Sequence, residues 1–223
     1  MIINLSDRLS AAASLVKGGG IVADIGTDHG YLPVYLIQSG KIERAIAADI
    51  GKMPLENARK AVVQYGLADK IELRLSDGLS SLRENEIDEI VFAGMGGTLI
   101  AEKLKETSWI KKEKYHFVFQ PQSRAEDLRE FLFANGFEIG DEIAVHEGNR
   151  FYIAFDAYYT GKIREFTAAD CFLGKLPKTE DAKVHIKKQV DRLQKRYDAT
   201  KEIGKEEVEL FETIQKLKDF LND

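Results

Sequence analysis

The stretch that decides the fold is Asp24-Ile25-Gly26-Thr27-Asp28-His29-Gly30-Tyr31-Leu32-Pro33. An apolar run at residues 21–25 leads into it, and the segment that follows has the length and composition of a helix. Glycine at positions 26 and 30 lets the backbone turn sharply and come close to a ligand. The stretch therefore predicts a strand, a ligand-binding turn and a helix. A plain strand-to-helix turn is the alternative.

The negative charge of this turn indicates which kind of adenosine cofactor it can bind. A dinucleotide site needs the spacing G-x-G-x-x-G, and Asp28 stands where the second glycine would be. A pyrophosphate would then meet a carboxylate, which is an unfavourable contact between like charges. S-adenosyl-L-methionine has no phosphate and carries a cationic sulfonium and a cationic amino group, so it suits this turn better than NAD does. The residues expected to bind it here are Asp24, Gly26, Thr27, Asp28 and Gly30.

Apolar runs alternate with helix-length segments along the first two thirds of the chain. The runs that predict strands are residues 21–25, 45–49, 71–75, 87–93 and 117–119. The segments that predict helices are residues 32–40, 54–65, 99–105 and 125–135, with Pro54 as the first residue of its helix. Such alternation indicates an α/β fold with a parallel sheet covered on both faces.

The end of this pattern distinguishes between α/β fold families. Residues 138–145 and 151–159 read as two strands joined by a short turn at residues 147–150, and no helix fits between them. They should therefore pair antiparallel. Five parallel strands followed by an antiparallel hairpin is the plan of Rossmann-like methyltransferases, and dehydrogenases do not share it.

Two acidic positions follow the second and third predicted strands. Asp49 ends the second strand, nineteen residues after Gly30, where an acid binds the ribose hydroxyls of an adenosine cofactor. Ile50 is expected in the same cofactor site. Asp77 and Gly78 follow the third strand and should lie at the edge of the adenine ring. The alternatives are a helix N-cap for Asp49 and a simple turn for Asp77.

The fourth and fifth predicted strands end in residues expected on the reacting side of the site. Gly94 and Met95 belong to Ala93-Gly94-Met95-Gly96-Gly97, whose glycines would leave room for the reacting groups. Gln120 and Pro121 end the fifth strand and are expected to face the substrate. Ligands of open parallel sheets bind at the carboxyl ends of the strands, where all these motifs fall together.

The last part of the chain changes character. Residues 178–223 are almost free of glycine and proline, and their apolar residues are spaced four, three and four apart in two series. This pattern predicts two antiparallel helices of coiled-coil type with a turn at Gly204. The two apolar seams can pair within one chain or between two chains. We expect a methyltransferase domain at residues 1–160 and a linker with the helical hairpin at residues 161–223.

Composition excludes several classes of protein. With 44% hydrophobic and 31% charged residues, the chain can bury a globular core, and no apolar run is long enough for a membrane span. The N-terminus lacks the pattern of a secretion signal. Cys171 is the single cysteine, so neither an internal disulfide nor a cysteine-rich zinc site is expected. The four histidines are scattered. We expect a cytoplasmic protein without a metal site.

The net charge of −5 argues mildly against a nucleic-acid partner, but it hides a segregation. The first helix of the predicted hairpin carries a basic stripe and the second is acidic. The stripe consists of Lys183, Lys187, Lys188, Arg192, Lys195 and Arg196. A local basic surface can bind phosphates on an acidic protein. The alternative is two solvated helix faces whose opposite charges attract each other.

Several of these motifs also resemble one known family. They are Leu5-Ser6-x-Arg8-Leu9, the stretch from Ala23 to Pro33, Asp77-Gly78-Leu79, Ile90-x-x-Ala93-Gly94-Met95-Gly96-Gly97 and Gln120-Pro121. Together they are similar to the bacterial tRNA (adenine-22-N1)-methyltransferases of the TrmK type. The resemblance spans most of the chain, including the helical hairpin. The chain departs from the family pattern at Gly30, Asp49 and Gln122, where the family often has Ala, Glu and Asn.

The resemblance implies transfer of a methyl group from S-adenosyl-L-methionine to N1 of an adenine in tRNA. Because the product is cationic, a carboxylate near the exocyclic amine would stabilise it and accept its proton. We expect Asp28 in this role, with His29 and Tyr31 orienting or stacking the base. Alternatively, Asp28 only binds the amino group of the cofactor, and His29 only bonds backbone at the helix start. The adenine must leave its stack, and the basic stripe would hold the tRNA backbone meanwhile.

Other readings of the same residues remain open from sequence. A small-molecule methyltransferase would have the same cofactor site, and an RNA-binding protein of this fold could lack catalysis. The acids clustered in a strand-end turn argue against the second reading, because a binding module has no need of them. We expect a monomer, with a dimer as the alternative.

Overall fold

The computed structural model describes residues 2–202 and 207–222, so the turn predicted at Gly204 lies outside the described residues. The strands are β1 Ile21–Ile25, β2 Arg44–Asp49, β3 Ile71–Leu75, β4 Glu89–Ala93, β5 His116–Gln120, β6 Phe137–Glu147 and β7 Arg150–Tyr159. The α-helices within these ranges are α1 Asp7–Leu15, α2 Tyr31–Gln38, α3 Lys52–Gln64, α4 Gly97–Lys105, α5 Ala125–Ala134, α6 Ala168–Leu173, α7 Glu180–Glu202 and α8 Val208–Asn222. A short 3-10 helix spans Ser108–Ile110.

All seven strands form one sheet in the order β3-β2-β1-β4-β5-β7-β6. The first five strands in this order run parallel. Strand β7 lies antiparallel between β5 and β6, with a β-bulge in β6 between Ile139 and Glu142. The predicted Rossmann-like methyltransferase plan is confirmed. Strands β1 and β4 are neighbours in the sheet but not consecutive in sequence, so the strand order reverses between them. The chain connections on the two sides of this point run to opposite edges of the sheet, which opens a crevice at the carboxyl ends of β1 and β4.

The alternation of side chains along the central strands divides the core between the two faces of the sheet. Phe117 and Phe119 of β5 pack on one face with α4, α5, α7 and α8, while Val118 between them packs on the other face with α1 and α2. Strands β4 and β5 are buried along their whole length, as expected for parallel strands covered on both sides. Edge strand β3 is only partly buried.

Three features of the helices differ from the sequence expectations. Helix α1 was not predicted, because its buried face is Ala11, Ala12 and Ala13, and such small residues give no visible apolar periodicity. Helix α6 was also not predicted; it is six residues long and begins with a capping box between Thr167 and Asp170. Helix α3 begins at Lys52, so the prediction that Pro54 is its first residue is wrong by two positions. Proline is still accommodated in this first turn, where backbone N–H groups lack helical partners.

The two C-terminal helices pack on each other and on the sheet. Arg196 of α7 pairs with Glu207 just before α8, and Gln194 accepts a hydrogen bond from Lys218. The helices therefore run in opposite directions. Ile186 and Ile214, from the two predicted seams, are fully buried in the same core cluster as Phe119 of the sheet. No helix of the described ranges has the length and apolar character needed to cross a membrane.

A buried ion pair fixes the connection between the sheet and these helices. The guanidinium of Arg129 on α5 pairs with Glu142 on β6, and both side chains are almost completely buried. Arg129 also donates to the carbonyl oxygens of Cys171 and Phe172, at 2.8 and 3.1 Å. Glu142 accepts a second hydrogen bond, 2.6 Å long, from the backbone N–H of Lys175. Arg129 thereby holds the end of α6, and Glu142 holds the segment after it to the sheet.

Candidate active site

The carboxyl ends of β1, β4 and β5 border a cleft of about 470 Å³. The segment before α1 and the first turn of α1 close the cleft from the other side. Most residues of the predicted turn line it, together with Gly94 and two residues that had no assigned role, Arg8 and Gln122. The lining residues from the prediction are Asp24, Gly26, Thr27, Asp28, His29, Tyr31 and Gly94.

Asp24 is the buried acid of the cleft. Its side chain lies at the end of β1, with only 3% of the residue exposed, and accepts a hydrogen bond of 2.6 Å from the Thr27 hydroxyl. Burial raises the pKa of Asp24 to about 6, the hydrogen bond from Thr27 opposes this rise, and the nearby charge of Asp49 adds to it. A buried carboxylate of this kind is stabilised by a cationic partner.

Asp49 organises the turn from the end of the adjacent strand β2. Its Oδ2 accepts from the backbone N–H of Asp28 at 3.2 Å, and its Oδ1 accepts from the N–H of Gly51 at 2.8 Å. Gly51 is the N-cap of α3, so Asp49 contacts the cap residue without being the cap itself. Each carboxylate oxygen keeps a free lone pair, which is what a ribose hydroxyl requires.

Asp28, His29 and Tyr31 form an exposed group at the mouth of the cleft. Asp28 adopts a left-handed conformation with φ 51°, and its Oδ2 lies 2.7 Å from Nδ1 of His29. The rings of His29 and Tyr31 lie 5.3 Å apart between centroids. The carboxylate and two rings are thus adjacent and accessible to a large substrate.

Glycine is required at two positions of the cleft wall. Gly26 has φ 76°, and a Cβ there would lie 3.0 Å from Sδ of Met95. Gly94 has φ 89°, and a Cβ there would lie 3.3 Å from Nη1 of Arg8. Any other residue would be strained at either position, and at Gly94 its Cβ would also crowd Arg8 in the cleft. Met95 packs against Gly26 but does not line the cleft.

Arg8 is the functional candidate that motif reasoning left without a role. Its Nη1 donates to Oε1 of Gln120 at 3.1 Å, and its backbone N–H donates to Oε2 of Glu147 at 3.0 Å. Glu147 ends β6, so it satisfies a first-turn N–H of α1, which has no side-chain cap of its own. The motif Leu5-Ser6-x-Arg8-Leu9 was the signal, but only the fold shows that Arg8 reaches the cleft.

Gln120 lies behind Arg8 and does not line the cleft, whereas Pro121 lines a neighbouring cavity. Gln120 is fully buried, accepts from Arg8, and donates from Nε2 to the carbonyl oxygen of Pro121 at 3.3 Å. Its amide therefore positions Arg8, while Gln122, two residues on, lines the cleft.

The residues expected around an adenine ring lie at the same edge of the sheet, outside the cleft itself. Ile50 is 69% exposed after β2, an unusual position for a branched apolar side chain. Asp77 is held by Lys103 at 2.9 Å, and Gly78 has φ 56° above the stem of the same lysine. The backbone N–H of Ser76 donates to the carbonyl oxygen of Asp49 at 2.8 Å, which joins the two strand ends.

The predicted basic stripe is divided on α7. Lys188 and Arg192 border a second cavity beside the loop after β5. Arg196 instead pairs with Glu207 across the two C-terminal helices, as the alternative of mutual helix attraction anticipated. Lys183 and Lys187 make no ion pair with any residue in the described ranges.

Comparisons with known proteins agree with this geometry. A protein-family model described as a methyltransferase domain matches residues 5–155. The chain is 33% identical over 199 residues to the tRNA (adenine(22)-N(1))-methyltransferase of Bacillus subtilis (strain 168), which covers 86% of this chain and 82% of the relative. The chain belongs to the tRNA (adenine(22)-N(1))-methyltransferase family.

Solved structures extend the relationship over nearly the whole chain. The Bacillus subtilis tRNA methyltransferase TrmK has a TM-score of 0.86 at 28% identity, covering 98% of this chain and 99% of that chain. A Streptococcus pneumoniae structure in complex with S-adenosyl-L-methionine has a TM-score of 0.83 at 31% identity, covering 99% and 100%. Both C-terminal helices therefore belong to the architecture of this methyltransferase family.

Proposed function

We propose that this chain transfers the methyl group of S-adenosyl-L-methionine to N1 of adenine 22 in tRNA. The observation that carries the proposal is the cleft lined by Asp24 and Asp28 at the end of β1, with Asp49 of β2 bonded to its turn, in a chain of this methyltransferase family. Asp24, Asp28 and Asp49 concentrate negative charge where a dinucleotide would place its pyrophosphate.

The residues of the cleft fit this cofactor. The cofactor supplies an electrophilic methyl group on a cationic sulfur, which becomes a neutral thioether when the methyl leaves. Asp24 would accept from the amino group of the methionine part, and the free lone pairs of Asp49 would accept from the ribose hydroxyls. Ile50 would cover one face of the adenine, and Asp77 would accept at its edge. Gly94 leaves space beside Arg8 and Gln122 that a Cβ would fill, and Gly26 allows the positive φ of the turn.

The target adenine would enter from the side of Asp28, His29 and Tyr31. Its N1 lone pair makes the new bond to carbon, so no covalent nucleophile of the enzyme is needed. The product base is cationic, and the Asp28 carboxylate beside His29 would stabilise that charge and accept a proton from the exocyclic amine. Tyr31, 42% exposed, would stack on the displaced base. Positioning and electrostatics supply the acceleration.

One copy of the chain would act alone, in the cytoplasm where tRNA substrates reside. Burial of most of both C-terminal seams within one chain supports a monomer, because the described parts of α7 and α8 leave no wide apolar seam for a second copy. Sedimentation equilibrium tests this; a stable dimer at micromolar concentration would contradict it.

The deciding experiment measures methyl transfer from labelled S-adenosyl-L-methionine to unmodified tRNA transcripts. Two transcripts that differ only in adenine or guanine at position 22 are compared, with Asp28→Asn as a matched variant. Incorporation should require the adenine, and Asp28→Asn should lower kcat more than it weakens cofactor binding. Cofactor binding without incorporation into either transcript would contradict a tRNA substrate and direct attention to small molecules. Equal loss of cofactor binding and turnover in Asp28→Asn would assign Asp28 to the cofactor alone.

A further inference from the structure

A second cavity of about 330 Å³ adjoins the cofactor cleft, and we refer to it as the α7 cavity. Its walls are the loop after β5, the start of α5, the start of β7, Phe172 of α6 and one face of α7. Gln122 lines both this cavity and the cofactor cleft, so the two are neighbours along the carboxyl edge of the sheet. The proposed function assigns nothing to it.

The walls of the α7 cavity carry more basic than acidic side chains in a chain whose net charge is −5. Four basic side chains line it, Arg124, Arg129, Lys188 and Arg192, with one acid, Glu126. Three of the four already pair with carboxylates, Arg129 with Glu142, Arg124 with Asp127 and Arg192 with Glu126, so the excess positive charge rests mainly on Lys188. His185, which also lines the cavity, is neutral at physiological pH, since burial and the charge of Arg129 lower its pKa to about 4. An excess of fixed positive charge in a concave site attracts anions.

Two of these cations are held in place by their surroundings. Nζ of Lys188 lies 4.4 Å from the ring centroid of Phe151 and 3.3 Å from the carbonyl oxygen of Asn149. Arg192 pairs with Glu126 at 2.7 Å and lies 5.7 Å from the ring of Phe172. Lys188 has no carboxylate partner among the residues that the structure describes. Because both cationic groups are already held by these contacts, little side-chain entropy is lost when an anion binds.

We propose that the α7 cavity binds a backbone phosphate of the substrate RNA next to the target adenine, through Lys188 and Arg192. The inference rests on the proposed function and deepens it. A planar guanidinium and an ammonium four residues apart on one face of α7, both lining the same cavity, suit a phosphodiester, which has two free oxygens to accept from them. The shared residue Gln122 places this phosphate beside the base being methylated. The remaining lysines of the basic stripe then contribute only general charge.

The test compares two charge-matched double variants on the same helix. Lys188→Ala with Arg192→Ala removes the cavity cations, and Lys187→Ala with Lys195→Ala removes two exposed charges that do not line it. The cavity variant should raise KM for tRNA by about tenfold or more, with kcat at saturating tRNA and KM for S-adenosyl-L-methionine unchanged. The slope of log affinity for tRNA against log salt concentration should become shallower by an amount that corresponds to about one to two phosphate contacts. Lys188→Arg should restore most of the affinity.

The outcomes separate the two proposals. A wild-type chain that binds cofactor without methylating tRNA overturns the proposed function. A wild-type chain that methylates tRNA, with equal effects of the two double variants on KM, overturns the cavity assignment and leaves the function intact. Inorganic phosphate and a mononucleotide are tested as competitors. If either raises the Tm of the chain through Lys188 while the variant's KM for tRNA is normal, the cavity serves a small anion and the assignment to RNA fails.

Discussion

Thr27 and Asp24 are joined by a hydrogen bond of 2.6 Å between Oγ1 and Oδ2, inside the cofactor cleft. Among the residues that the structure describes, this is the hydrogen bond that stabilises a carboxylate whose burial raises its pKa to about 6. At neutral pH the group is ionised in an environment that disfavours its charge. This is the state expected of a residue kept for a cationic ligand, since a purely structural carboxylate would carry a paired partner.

Asp24→Asn should therefore stabilise the fold and weaken cofactor binding. Because the pKa of Asp24 is raised on folding, its ionisation destabilises the native state by up to about 3 kcal/mol at pH 7. That cost is absent below the unfolded pKa, near 4, and complete above about 6. In urea unfolding from pH 4 to 8, the free energy of unfolding of the variant should rise relative to that of wild type as pH increases. The affinity of the variant for the cofactor should fall by more than about tenfold. If Asp24→Asn and wild type were equally stable from pH 4 to 8, the charge of Asp24 would already be compensated within the fold.

His116 should make stability fall at alkaline pH. Its Nδ1 lies 2.8 Å from Glu89 and its Nε2 lies 2.7 Å from Asp156. Carboxylates only accept, so both contacts require the doubly protonated ring. Burial lowers the pKa of His116, but hydrogen bonds to Asp156 and Glu89 outweigh it and raise the pKa above 6.5. The stabilisation of the fold by protonated His116 is thus fully present below pH 6.5 and is lost as pH rises through the folded-state pKa.

The check on His116 is the free energy of unfolding between pH 6.5 and 9.5. The glutamine in His116→Gln stays neutral over this range. The variant should therefore be less stable than wild type at pH 6.5, and its free energy of unfolding should decrease less as pH rises. Parallel curves for the two proteins would contradict a protonated His116.

Removing one partner of the Arg129–Glu142 pair should destabilise the fold strongly, whereas replacing both partners together should destabilise it little. Removing one partner leaves a buried charge alone, so Arg129→Met should destabilise the fold by roughly 3–5 kcal/mol. The double variant with Glu142→Gln should recover most of this loss, because no charge then remains buried. Equilibrium urea unfolding of the wild type, both single variants and the double variant gives the coupling energy. Additive losses would show that the two charges do not depend on each other.

Arg8 should matter for methyl transfer more than for stability. Its ion pair with Glu147 is partly exposed at both ends, and such pairs contribute up to about 1 kcal/mol. In contrast, Arg8 is the permanently charged cation of the cleft lining and holds Gln120. Arg8→Ala should lower kcat/KM by about tenfold to a hundredfold, and Arg8→Lys should recover only part, because lysine lacks the planar fork.

Glu147→Gln is the matched control for Arg8, since it weakens the exposed pair and leaves the cleft side chain in place. If it lowers transfer as much as Arg8→Ala while both lower the free energy of unfolding alike, Arg8 acts by anchoring α1. Separate kcat and KM values for cofactor and tRNA then show which ligand the guanidinium serves.

Local sequence determined the layers of the fold and the chemistry of the main turn. The runs that form β1, β4 and β5 are apolar enough to indicate strands buried on both faces, and the missing helix between β6 and β7 indicates an antiparallel pair. The acidic glycine turn from Asp24 to Gly30 already excludes a pyrophosphate, because charge and backbone freedom are properties of the residues themselves. The family motifs added the reaction and the substrate.

Only the tertiary structure decided which distant residues meet. Arg8 and Gln120 are 112 positions apart, and Arg129 and Glu142 meet only because α5 and β6 pack together. Similarly, the division of the basic stripe depends on how α7 lies against the sheet, which brings Lys188 and Arg192 to a cavity and sends Arg196 to Glu207. Periodicity and propensity act over a few residues, whereas these contacts depend on strand order and packing, which no local pattern encodes.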